Sequence, residues 1–163
     1  MQLTAAQRTT LRNDILADPA LAALPQGNQS ALTIATAYNA IAAGWIVWRS
    51  GVSADEIGDA WVGTDIDGMS ALNMQRLQLL LASAGSKGFD MRRTDRRAGF
   101  ENPFGANASN ASRVAMRTNW KRTCTRCEKL FSTGVGSDAV PASTVVEGTL
   151  SYSEINQVMG WAE

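Results

Sequence analysis

Helix starts and stops recur at short intervals along this chain, and their spacing limits it to short helices. Thr4 with Gln7, Ser53 with Glu56 and Ser151 with Glu154 have capping-box spacing. In such a box the hydroxyl accepts from the backbone N–H three residues on, and the Gln or Glu side chain accepts from the cap's own N–H. Asp18-Pro19 ends the first helix, and Gly44 and Gly85 stand where C-terminal glycines belong. Between these marks the spacing predicts helices over about 5–17, from Gln29 or Ser30 to Gly44, over 54–60 and over 69–84. Further helices are expected over 96–100, 112–131 and 152–159.

The helix over 112–131 is the longest. Met116, Trp120, Cys124, Cys127 and Phe131 would form its buried stripe, with Arg122, Arg126 and Lys129 on the opposite face. Trp45 to Arg49 reads as an extended connector, Trp61 to Gly68 as a loop, and Ser132 to Asp138 as a glycine-rich loop. Pro141 to Leu150 has strand composition. The expected class is mainly α: a helical bundle of about five to six helices with a C-terminal extended or β-hairpin arm and a short terminal helix. With 163 residues, 45% of them apolar, folding buries roughly two-thirds of the chain's surface. A single domain over 1–163 is expected, with a helical core over 1–131 and the arm and short helix over 132–163.

Histidine is absent. Ser-His and Cys-His nucleophile pairs, His-ligated metals and imidazole pH switches are therefore excluded. Cys124 and Cys127 are the only cysteines, and a structural zinc site needs four ligands. They lie in a basic, helix-like run and read as half-buried packing residues. Asp65, Asp67 and Gly68 lack the remaining positions of a calcium loop, so turn and cap chemistry is the better reading. The glycine-rich loop at Ser132 has no Gly-Lys-Ser/Thr after it and is no phosphate loop. Asp55, Glu56 and Asp59 suit the first turns of a short helix rather than a catalytic carboxylate pair. No enzyme, no cofactor and no metal is expected. The apolar stretch Ile41 to Trp48 is too short to cross a bilayer, and the polar N-terminus is no signal peptide. The sequence thus predicts a protein made in the cytoplasm, with no membrane partner.

The formal net charge is zero, yet the charges are segregated. Residues 1–75 carry a net −4, residues 76–129 a net +8 and residues 130–163 a net −4. Such blocks suit pairing within the molecule, or an acidic side of one subunit meeting the basic side of the next, as in rings. They also admit nucleic-acid binding through Arg92, Arg93, Arg96, Arg97, Arg113, Arg117, Lys121, Arg122 and Arg126. Arginine suits phosphate and carboxylate equally well, and no known nucleic-acid-binding signature frames the patch.

The stretch Trp120-Lys121-Arg122 with Thr125 to Asp138 resembles small virion proteins from the head and tail structural modules of tailed bacteriophages. The likeness extends to Glu147 to Tyr152, Leu11 to Leu24, and the Ala37 to Trp48 block. Size and helical class resemble head–tail adaptors, small subunits with an extended C-terminal arm that form a ring beneath the portal. The resemblance implies a virion location at the head–tail junction, a homo-oligomeric ring, and portal and stopper or tail proteins as partners. It also implies passing contact with DNA and no catalysis. On this reading Arg113, Arg117, Lys121, Arg122 and Arg126 form a contact face on one helix, and Val140, Val145, Val146 and Leu150 reach a partner. Charge reversal at Arg122 and Arg126 is then expected to block assembly and leave the monomer folded. The alternatives are another virion role (tail completion, tail terminator or capsid decoration) and a nucleic-acid-binding packaging accessory protein.

Overall fold

The computed structural model describes residues 1–161. The first helix, α1 (Ala5–Ala17), opens at the Thr4–Gln7 box and ends at Asp18, whose carboxylate caps the short α2 (Pro19–Ala22). Next come α3 (Asn28–Asn39) and the strand β1 (Ile41–Trp48). Then follow α4 (Ala54–Asp59), opened by the Ser53–Glu56 box, α5 (Gly63–Asp67) and α6 (Ala71–Ala82). A turn of 3-10 helix at Asn102–Phe104 follows α7 (Thr94–Glu101). The rest is α8 (Ala111–Asn119), β2 (Lys121–Thr125), α9 (Arg126–Leu130), β3 (Ser132–Thr133), β4 (Ser143–Thr144) and α10 (Tyr152–Met159), the last opened by the Ser151–Glu154 box. The chain is mainly helical, with two small two-stranded sheets, as its punctuation implies.

Three expectations are corrected. The second helix stops at Asn39 rather than at Gly44. Gly44 lies inside β1 with φ +71°, in a segment of aromatic and β-branched residues that pairs with β2. The loop expected at 61–68 contains the short α5. The helix expected over 112–131 is three elements. Its break has a local cause: Thr125 and Glu128 form a fourth capping box, which starts a new helix. The stripe residues Met116, Trp120, Cys124 and Cys127 are indeed buried, but they enter three different apolar clusters.

The chain divides into two compact units. One comprises Met1–Val47 and the chain from Thr123 onward; the other is Trp48–Arg122. In the first unit, Leu11 and Ile15 of α1, Ala31, Ile34 and Tyr38 of α3, and Ile155 and Val158 of α10 share one core. Val146 and Leu150 join that core, each only 4% exposed. Asn39 fixes this return of the chain: its Nδ2 donates to the Leu150 carbonyl and its Oδ1 accepts the Leu150 N–H, both at 2.8 Å. Segment 132–150 therefore does not stand apart from the helices. It forms the β3–β4 hairpin, in register Ser132 with Thr144 and Thr133 with Ser143. It docks on β1 through Ile46 N–H to Gly136 O at 2.7 Å and Ala142 N–H to Ile46 O at 2.9 Å.

In the second unit the core is aromatic. Phe89 meets Phe100 edge-on at 4.9 Å, and Phe100 packs against Trp120 at 6.3 Å. Val52, Ile57, Leu77, Met91 and Met116 complete it. Asp65 does cap chemistry here, as its sequence context implies. Its Oδ2 accepts both the backbone N–H and the hydroxyl of Ser112 in α8, at 2.9 and 2.7 Å.

Candidate interaction surface

The arginines expected on one contact face fall on three elements. Arg113 and Arg117 lie one turn apart on α8 and converge on Glu101, the last residue of α7. Arg117 donates from Nε to Oε1 and from Nη2 to Oε2, both at 2.7 Å, and Arg113 Nη2 donates to Oε2 at 3.0 Å. The Glu101 and Arg113 side chains are only 10% and 11% exposed. Burial works to raise the Glu101 carboxyl, but hydrogen bonds from Arg117 and Arg113 outweigh it and hold the group below its ordinary value. This is a clamp joining two helices, not a free basic face. Its sequence signal is visible afterwards: Glu101 is the lone acid between Arg97 and Arg126.

Lys121 and Arg122 lie on β2, half-buried. Arg126 opens α9 in the first unit. Its guanidinium lies 4.7 Å above the Tyr38 ring and reaches Asp18 at 3.2 Å. The hydrogen bond from Arg126 holds the Asp18 carboxyl below the usual range. Tyr38 OH donates to Asp14 at 2.5 Å. Burial, and then that bond, push the phenol above its ordinary value. Arg126 therefore has partners inside its own unit, contrary to its expected place on a free helix face.

The four C-terminal residues divide likewise. Val146 and Leu150 are buried in the core of the first unit. Val140 and Val145 are exposed, as is Val135 in the same hairpin. Around the end of β4 burial alternates: Thr144 and Val146 are buried, and Val145 between them is exposed.

Other basic side chains are also committed. Arg92 chelates Asp90, Arg93 pairs with Asp95 at 2.6 Å, and Arg97 lies 4.2 Å over the Trp48 ring while donating to the Met91 carbonyl. Folding also dilutes the charge blocks, because the acid-rich stretch 48–75 joins the basic run in one unit. That unit has eleven basic against eight acidic side chains, and the first has four against seven.

One concave surface escaped the sequence reading. In the second unit a groove of about 510 Å³ runs between α6 and the α7–Pro103 segment. Leu79, Leu80, Gly99 and Pro103 line it, with Arg76 at its edge. Gly99 brings α7 close: a Cβ there would meet Leu80 Cδ1 at 3.4 Å. Leu79 is 66% exposed and Leu72, two helical turns earlier, 57%. Leu79, which lines the groove and lies off the face carrying buried Leu77, is the signal for the groove in the sequence.

Cys124 and Cys127 are both buried and unbridged, and burial pushes the Cys127 thiol up to about 12. Among the described residues no group of His, Cys, Asp or Glu side chains is arranged to hold a metal ion. No helix among them is long and apolar enough to cross a membrane. No protein family, curated protein or solved structure matches this chain.

Proposed function

We propose that this chain is a structural subunit of a tailed-phage virion. Within the virion we assign it to the head–tail adaptor position, as a homo-oligomeric ring between the portal and the stopper or tail proteins. On this reading it has no catalytic role. The observation that carries the assembly part is the opposite charge of the two compact units: eleven basic against eight acidic side chains in one, four against seven in the other. Like subunits can then meet basic surface to acidic surface. The exposed Val135, Val140 and Val145 on an otherwise ordered hairpin supply apolar contact area. The virion part rests on the sequence likeness over Trp120 to Asp138.

The pairing of the arginines favours assembly over duplex binding. Arg92, Arg93, Arg113, Arg117 and Arg126 already hold carboxylates, so phosphate contacts would have to displace them. The test is protein mass spectrometry on intact particles from cells carrying the encoding genome. The chain is expected as a stoichiometric component, and its absence overturns the proposal. Electron microscopy of the particle neck separates the adaptor from a tail terminator or capsid decoration. Retention on duplex DNA that falls steeply with salt would revive the packaging-accessory reading.

A further inference from the structure

Buried apolar residues sort by unit. The core built on Val52, Ile57, Phe100 and Trp120 draws all its members from Trp48–Arg122. The two remaining clusters, one around Ile15 and Ile34 and one of Val47, Cys124 and Ala142, lie wholly in the first unit. Cooperative unfolding is transmitted through shared packing, so separate cores permit separate transitions.

The chain passes between the units twice, at 47–48 and at 122–123, and both passages fall in the paired strands β1 and β2. The second unit is closed at its own base by Arg49. The Arg49 N–H donates to the Trp120 carbonyl at 2.8 Å, and its carbonyl accepts from the Met91 N–H at 2.9 Å. Its guanidinium donates to the Asn119 carbonyl at 2.7 Å and pairs with Glu56 at 2.7 Å. Domains of about 55–65 residues fold alone, and Trp48–Arg122 is longer than that. To the first unit, an unfolded insert is a long loop between two paired strands, and the entropy of closing such a loop grows only with the logarithm of its length.

We propose that residues 48–122 are an inserted module that opens as its own cooperative unit and leaves the first unit folded. Opening takes apart the aromatic core and the Glu101 clamp. The α1–α3–α10 core and the hairpin seated on Ile46 persist. The device is conformational and does not depend on the virion reading.

The experiment is peptide-resolved hydrogen exchange on the full-length chain carrying Ile57→Ala or Ile34→Ala. Both isoleucines are fully buried, one in each unit. Exchange of the slowest amides follows the opening equilibrium of the unit that holds them. Ile57→Ala is expected to speed the slowest amides of α6 and α8 by about thirtyfold or more and to leave those of α1, α3 and α10 at the parent rate. Ile34→Ala is expected to do the reverse. Alkylation of the buried Cys127 thiol, in the same core as Ile34, should quicken with Ile34→Ala and keep the parent rate with Ile57→Ala. Should an alanine variant fail to fold, Ile57→Val and Ile34→Val give the same pattern at about fivefold. Acceleration of both units by either substitution overturns the proposal, because a single cooperative unit opens as a whole. Unchanged exchange in the substituted unit overturns it too, because that core would then not open as one.

Discussion

Arg117 meets Glu101 as a parallel fork, two hydrogen bonds of 2.7 Å from Nε and Nη2 to the two carboxylate oxygens. Arg113 adds a third bond from the buried side. Two helices of the second unit are thus held by one carboxylate.

Glu101→Gln leaves the Arg113 guanidinium buried with its charge uncompensated. Removing one partner of a buried ion pair costs about 3–5 kcal/mol, so urea denaturation should show a loss of about 3 kcal/mol. Arg117→Ala should cost much less, about 1 kcal/mol, because that side chain is 41% exposed and water replaces the bond. Equal losses from the two substitutions would contradict the clamp.

The same carboxylate makes stability depend on pH. Its pKa in the folded chain lies below the ordinary 4.5, so the unfolded chain takes up the proton first as pH falls. The stabilisation is complete above about pH 4.5 and is lost as pH drops through the folded value. Denaturation midpoints between pH 7 and 3 should therefore decline on the acid side. Glu101→Gln should flatten that decline, although Asp90, held low by Arg92, retains a share of it.

Gly136 has φ +72°, and a Cβ there would sit 2.3 Å from a carbon of the Trp45 indole. Gly136→Ala combines a left-handed backbone, which costs an L-residue roughly 1–2 kcal/mol, with that clash. We expect a loss of more than about 2 kcal/mol. Faster hydrogen exchange at the Ile46 amide, which donates to Gly136 O, should locate the damage. An unchanged exchange rate would mean that the hairpin is not seated as described.

Arg126→Glu places a carboxylate beside Asp18 and Asp14 and removes the cation from the Tyr38 ring. The first unit should lose thermal stability, by less than with Gly136→Ala, and Arg126→Gln should restore part of it. This differs from what the sequence implies, an assembly defect in a fully stable monomer. A melting midpoint equal to that of the parent chain would favour the sequence-based expectation.

Local punctuation in the sequence sets most helix boundaries. The boxes at Thr4, Ser53 and Ser151 open helices where their spacing places them, because a cap involves residues three positions apart. The same chemistry at Thr125 and Glu128 is legible too, yet it competes with an apolar repeat that mimics one long helix. Periodicity identifies which residues are buried, not which core buries them. Met116 and Trp120 belong to one core, Cys124 to another and Cys127 to a third.

The sequence by itself determined the helical class, the helix starts after Thr4, Ser53 and Ser151, the absence of histidine chemistry and the sign of each charge block. Tertiary structure alone decided what each charge faces. Glu101 takes Arg113 and Arg117, and Asp18 takes Arg126, while Arg76 lines the groove with no carboxylate partner among the described residues. It also returned Val146 and Leu150 to the core while leaving Val140 and Val145 outside. The physical reason is range. Caps and periodicity act within a turn or two of chain. The partner of a charge or a valine is set by which distant segment packs beside it, and only the folded chain brings those segments together.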